Sequence, residues 1–316
     1  MPRFSVIIPL YNKAPYVGKT VESVLNQTYD DYELIVIDNG STDGSNEIVA
    51  GFTDLRIRRV RLEENVGVSN ARNKGVELSS APYITFLDAD DWWEPTFLEE
   101  MAGLVERQSD AGIYGTGYYI VKNGKKRLAP IGVKEGFVEG EINYCAVYAK
   151  TLCMPLTSIT VAMPRTVFDE SGGFNPQLKL GEDFDLWIRI ALKHKVMFLN
   201  KPLSNYNQDV DVTYRGTHKS VYEPDAFSTF HFDQFAEEEA DNQDLKILLD
   251  KMRVYSLMNF RQKNQYRERV MQEIAKVDFN NVDSIYRFYY KAPYWIVKIY
   301  LSFIQCLSTI KHTIIK

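Results

Sequence analysis

The residues of this chain best equipped for chemistry sit at the ends of apolar runs. Phe4–Leu10 closes in Pro9-Leu10-Tyr11-Asn12, Tyr32–Ile37 is followed by Asp38-Asn39-Gly40-Ser41-Thr42-Asp43-Gly44, and Tyr83–Leu87 by Asp88-Ala89-Asp90-Asp91. A carboxylate beside a buried run is costly unless it is paired, hydrogen-bonded or bound to metal. Asp88 and Asp90 are two apart, so in extended chain both lie on one side and Ala89 points away. Hard oxygen donors of this kind suit Mg²⁺ or Mn²⁺, which bridge to substrate phosphates instead of being caged by protein. A bare Asp-x-Asp is also what a solvated turn before the helix at Pro95 supplies.

Other candidates carry two readings each. Residues 39–44 suit a plain strand-to-helix connection, with Thr42 or Asp43 capping the next helix, but that does not explain a carboxylate at Asp38. Asn65–Asn73 reads as a turn feeding a helix, whose amides and Arg72 guanidinium could face an anion. Taken alone, Arg72 reads as a solvated arginine on an amphipathic helix. Gly181-Glu182-Asp183 opens another helix, where carboxylates serve as caps or stay ionised as a general base must. Gly18-Lys19-Thr20 is not the end of a phosphate loop, because Lys13 stands where that motif needs its first glycine.

Positioning these groups requires short strands alternating with helices, as in a βαβ sheet. Strands are expected at Phe4–Leu10, Tyr32–Ile37, Ile57–Leu62 and Tyr83–Leu87. Between and after them come helices: one with Pro15 near its start and Val17, Val21, Val24 and Leu25 on one face, Asp43–Val49, a Ser69-capped helix to Leu78, and Pro95–Arg107. Further on, strands are expected at Ile113–Val121, Ile159–Met163 and Val196–Leu199. A helix is expected over Glu182–His194, with Phe184, Trp187, Ile188 and Ala191 forming one apolar face. From about Thr217 the pattern turns helical.

The chain has 316 residues, room for one large α/β domain and an appendage. A net charge of −5 argues against a nucleic-acid partner. Cys145, Cys153 and Cys306 lie far apart with no CxxC spacing, which excludes a disulfide framework or zinc knuckle and leaves buried thiols of a reducing cytosol. Residues 1–10 lack the pattern of a signal peptide, and no charge-free apolar run reaches the length of a membrane-spanning helix.

The last stretch, 284–316, holds five Lys/Arg, eight aromatics and no acid. From Lys298 the polar positions Lys298, Ser302, Gln305, Thr309 and His312 alternate with Ile299, Phe303, Ile304 and Leu307, predicting an amphipathic helix. Such a helix suits an anionic bilayer surface, or packs on protein.

In order, Ser5–Asn12, Ile35–Gly44, Asn65–Asn73, Phe86–Asp91 and Gly172-Gly173-Phe174 through Gly181-Glu182-Asp183 to Trp187 resemble the inverting glycosyltransferases of family 2. The resemblance covers about residues 3–200. It implies a GT-A fold, an α/β mixed sheet of Rossmann-like nucleotide-binding type flanked by helices, here with a helical C-terminal extension. The implied domains are a catalytic domain over 1–215, its nucleotide-sugar half about 1–110 and its acceptor half about 111–215, then a helical extension 216–283 and the basic aromatic tail 284–316.

The resemblance also implies roles. Pro9 and Tyr11 would line a uridine pocket, Asp38 would contact the base edge, and Arg72 would lie near the phosphates. Asp88 and Asp90 would be the metal-binding pair for Mn²⁺ or Mg²⁺, with Asp90 the direct ligand. Asp183 would be the general base, supported by Glu182, Asp91 and Trp187. The reaction implied moves a sugar from a nucleotide donor, UDP-linked, to a hydroxyl of a glycan or lipid-linked acceptor in surface polysaccharide or glycolipid synthesis, at the cytoplasmic face of the membrane.

Two departures stand out. Asp38-Asn39 replaces the paired aspartates of many relatives, and Tyr206-Asn207-Gln208-Asp209 lacks their histidine. A sugar nucleotidyltransferase would need a Gly-rich basic loop at 9–13, which is missing. A non-catalytic nucleotide-sugar or glycan-binding module is the alternative, and it would have no use for a base at Asp183.

Overall fold

The computed structural model describes residues 1–214, 228–261, 266–293, 295–297 and 299. The chain divides into two compact units, Met1–His231 and Phe232–Lys316.

In the first unit the apolar run Phe4–Leu10 becomes strand β1, buried at every residue except Pro9, which is half-buried. A strand covered on both faces needs helices on both sides. Helix α1 (Ala14–Leu25), with a proline in its first turn, turns Val17, Val21 and Val24 inward. The alternation continues through β2 (Tyr32–Asp38), α2 (Ser45–Ala50), β3 (Ile57–Arg61), α3 (Val68–Glu77) and β4 (Tyr83–Phe86). A two-residue strand β5 (Trp92–Trp93) precedes α4 (Phe97–Arg107).

The remainder of this unit comprises β6 (Ile113–Lys122), β7 (Lys125–Leu128), β8 (Glu139–Ile142), α5 (Tyr144–Thr151), β9 (Val161–Pro164), α6 (Arg165–Glu170), α7 (Glu182–Ala191) and β10 (Val196–Asn207). The sheet runs β3-β2-β1-β4-β9-β6-β10-β5, with β7 on β6 and β8 on β10. β1, β2, β3 and β4 are mutually parallel, whereas β9 is antiparallel to both β4 and β6. This is the mixed sheet flanked by helices expected from the sequence.

Register brings the candidate groups together. Leu10 pairs with Asp38 and Ile7 with Phe86, so the loops leaving β1, β2 and β4 emerge side by side. Chain connections leave β1 toward β2 on one side and reach β4 on the other, and ligands collect at such a switch point.

Three local expectations are corrected. Gly67, not Ser69, is the N-cap of α3, and Ser69 lies inside the helix. Asp43 does not cap α2 as its N-cap residue; Gly44 does, while Asp43 accepts hydrogen bonds from Ala14 N at 2.9 Å and Ser45 N at 3.0 Å, tying the starts of α1 and α2 together. Strand β10 extends well past Leu199, because it carries pairings with β6, β8 and β5 along its length. Of the cysteines, Cys145 is buried and Cys153 half-buried, and both are free thiols.

The second unit is helical: α8 (Ala236–Asp241), α9 (Gln243–Ser256), α10 (Met258–Arg261), α11 (Arg267–Ala275) and α12 (Ser284–Lys291). Asn242 caps α9 by accepting from Leu245 N at 3.0 Å. Arg253, almost wholly buried on α9, donates to both carboxylate oxygens of Glu239 at 2.5 and 2.7 Å. The amphipathic segment expected over 298–312 lies outside the described residues apart from residue 299.

α3 seats on the sheet through Gly75, where a Cβ would stand 2.3 Å from Ile7 Cγ2. Ile7 is fully buried and β-branched, so it has little room to yield. Gly75→Ala is expected to lower stability by about 1–3 kcal/mol, read as a lower urea midpoint with unchanged slope.

Candidate functional site

Asp38 closes β2 with 2% of its surface exposed. Its Oδ1 accepts from Ser41 N at 2.9 Å, and its Oδ2, 3.5 Å from Arg61 Nε, is a buried acceptor with no hydrogen bond. The turn that follows needs Gly40, whose φ is +78° and whose Cβ would lie 2.9 Å from the Glu64 carbonyl carbon. Asn39 explains its own presence: its amide donates to Asn65 Oδ1 at 2.9 Å and its Oδ1 accepts from Val66 N at 2.9 Å. A carboxylate there could not supply both halves of that exchange.

Arg72 is buried, 3% exposed, which overturns its reading as a solvated arginine. Its Nη2 donates to Asp88 Oδ1 at 2.6 Å and its Nη1 to Glu182 Oε1 at 2.8 Å. The guanidinium lies 5.1 Å from the centre of the Phe174 ring. Burial by itself would lower its pKa, but the charges of Asp88 and Glu182 outweigh it and raise the pKa. One cation thus ties the end of β4 to the first turn of α7.

α7 begins at Gly181, the N-cap residue, with a φ of +79°. The neighbouring Asp183 is half-buried and accepts from Phe184 N at 2.8 Å. Its carboxyl is pushed up to about 7, first by desolvation and then by the charge of Glu182, with Arg72 pulling the other way. Trp187, one helical turn on, is fully buried with its ring against Phe174 at 5.9 Å between centres. It holds α7 in the core and does not line the crevice.

Asp88–Asp91 is not extended. Asp91 N donates to Asp88 O at 3.0 Å, closing a turn that sends neighbouring carboxylates to different partners. Asp88 meets Arg72, Asp90 forms an ion pair with Lys13, and the buried Asp91 accepts from Asn207 N at 2.7 Å. Desolvation raises the pKa of Asp90, against the pull of Lys13, and raises that of Asp91 further, with the charge of Asp90 adding to it. Pro9 and Tyr11 stand at the end of β1, Pro9 half-buried and Tyr11 42% exposed.

Lys13 and Asn207 are the residues that motif reading did not assign. The Asn207 side chain also donates to Asp90 O at 3.1 Å, so the end of β10 is fastened to this turn. The available signal for Lys13 was its position, three residues past the end of the innermost parallel strand.

The profile of glycosyl transferase family 2 matches residues 5–153. The chain is 41% identical over 211 residues to the putative teichuronic acid biosynthesis glycosyltransferase TuaG of Bacillus subtilis, covering 65% of this chain and 79% of TuaG. It is 33% identical over 218 residues to the glycosyltransferase GlyA of Streptococcus pneumoniae, covering 65% of this chain. The chain spans about 30% of the length of GlyA, and 31–32% of two further relatives. In fold it is similar to Staphylococcus aureus TarS 1–349 solved with UDP-GlcNAc, with a TM-score of 0.64 at 20% identity over 84% of this chain and 75% of TarS 1–349. With this degree of likeness along most of TuaG, the chain belongs to glycosyl transferase family 2.

Proposed function

We propose that this chain is an inverting glycosyltransferase that moves a sugar from a uridine diphosphate donor to a hydroxyl of a glycan or lipid-linked acceptor in surface polysaccharide synthesis. The observation that carries it is the Arg72 bridge, which fixes Asp88 on one wall of the crevice and the Glu182-Asp183 turn on the other. Support for the donor comes from TarS, solved with UDP and with UDP-GlcNAc, and support for the setting from the name of TuaG.

In this reading Pro9 and Tyr11 flank the uracil, and Asp38 Oδ2, which accepts no hydrogen bond within the protein, accepts one from its edge. The residues present fit a divalent cation. Asp88 and Asp90 each have one oxygen engaged by a protein cation and one left over. Among the described residues no group of three candidate ligands is assembled; a cation held by Asp88 and Asp90 would take its remaining ligands from phosphates and water. Bound there, Mn²⁺ or Mg²⁺ would neutralise charge on the departing diphosphate.

The protein's own part is the proton. Asp183 accepts it from the acceptor hydroxyl as that oxygen bonds to the anomeric carbon, the bond from carbon to the diphosphate oxygen breaks, and the configuration inverts. No acid is needed at the leaving group, in contrast to glycoside hydrolysis. A base pushed up to about 7 is a stronger proton acceptor than a free aspartate and is about half ionised at neutral pH.

The tail contributes location. Ile285, Phe288, Trp295 and Ile299 are exposed, and 284–316 carries five Lys/Arg and no acid, which suits the anionic inner face of the cell membrane. Among the described residues no helix is long and apolar enough to cross a membrane.

Asp183→Asn is expected to lower turnover by about 10²–10⁴-fold while UDP binding, measured by calorimetry, stays near wild type; a fully active variant would refute the assignment. Because Asp183 must be deprotonated to act, the initial rate at saturating donor should fall as pH drops below about 7 and level off above it. In a flotation assay, the full chain should rise with phosphatidylglycerol vesicles and not with phosphatidylcholine vesicles, the attraction weakening with salt.

A further inference from the structure

Lys13 is ion-paired with the very carboxylate, Asp90, that the metal reading needs as a ligand. Its backbone is pinned: Lys13 N donates to Ser45 Oγ at 2.8 Å, and the preceding Asn12 donates to Ser41 Oγ at 3.0 Å and accepts from Thr42 N at 2.8 Å. From that fixed root the side chain reaches across the crevice to Asp90 Oδ2, and its Nζ also donates to Tyr214 O at 2.6 Å. The pair is largely shielded, with side-chain exposures of 13% for Lys13 and 18% for Asp90. A charge pair so shielded attracts more strongly than one on the surface.

Three carboxylates fall within four residues here, and Arg72 is already committed to Asp88 and Glu182. An ammonium on Asp90 therefore offsets a repulsion that a divalent cation would offset in its place. Even with the other Asp90 oxygen open, an ammonium this close to the carboxylate repels a divalent cation and takes up the negative charge that would attract it. The ammonium keeps a second partner in the Tyr214 carbonyl, and Asp90 borders a cavity of about 350 Å³ lined also by Tyr16, Lys19, Lys126 and Asn207.

We propose that Lys13 is a resident counter-ion of Asp90, holding that carboxylate before donor arrives and competing with the divalent cation for it. The proposal rests on the reading of Asp90 as a metal ligand and adds to it the group that sets how weakly the empty site takes metal.

The test is a titration of the donor-free full chain with MnCl₂, free Mn²⁺ being followed by electron paramagnetic resonance. Lys13→Met is expected to bind Mn²⁺ on the order of tenfold more tightly than wild type, and Lys13→Arg, which keeps the charge, to stay as weak as wild type. A gain of affinity cannot come from misfolding. The gain should vanish in Lys13→Met combined with Asp90→Asn. Equal or weaker Mn²⁺ binding by Lys13→Met, with wild-type binding still abolished by Asp90→Asn, overturns the role of Lys13 and leaves the metal reading standing. A gain that survives Asp90→Asn also overturns it. Absence of any Mn²⁺ binding in every variant overturns both.

Discussion

Five carboxylates, Asp88, Asp90, Asp91, Glu182 and Asp183, converge where strands β1 and β4 end and helix α7 begins, and the protein must keep them there against their mutual repulsion. Arg72 carries most of that burden from a nearly solvent-free position. A buried cation stripped of water needs charged partners: two of its nitrogens bond to two different carboxylates, while Nε is buried without a hydrogen-bond partner. Much of the surrounding architecture follows from putting Arg72 in that place. α3 must lie close on β1, which is why Gly75 faces Ile7. The loop before α3 must be held, which Asn39 does through Asn65, Val66 and Gly67.

The same crowding gives the crevice its chemical character. Each carboxylate that loses water and gains a like-charged neighbour becomes harder to ionise, and this is so for Asp183, Asp90 and Asp91 alike. Their consequences differ with position. Asp183 stands at a helix N-terminus beside Glu182 and becomes a stronger base than a free aspartate. Asp91 is turned inward and anchors β10 through Asn207. Asp90, between them, is left facing a cation. Charge arranged in this way favours a ligand that brings positive charge of its own along with phosphate.

Much of the parallel half of the sheet was legible because its strands are apolar runs and its helices carry regular apolar faces. The second half was less so, for physical reasons. β5 is two residues whose partners, Ser204 and Asn205, lie over a hundred positions away. β7 is wholly exposed and composed of Lys-Lys-Arg-Leu, so nothing in it alternates. The site divides in the same manner. The positions of Asp38, Asp88, Asp90 and Asp183 at element ends could be read from neighbouring apolar runs. The burial of Arg72 could not, since its helix has a mixed surface and its partners come from β4 and α7. The Asp88–Asp91 turn defeated the expectation of an extended pair because the backbone bond from Asp91 N to Asp88 O is invisible in the residue types.

A crevice built in this way is expected to turn over a nucleotide sugar. The most direct measurement is the slow release of nucleoside diphosphate from a panel of nucleotide sugars, with and without Mn²⁺, by the full chain. Release from a uridine diphosphate sugar is expected to depend on the metal and to be lost in Asp90→Asn. No release from any donor, with no donor binding by titration and none restored by lipid extract, would contradict it.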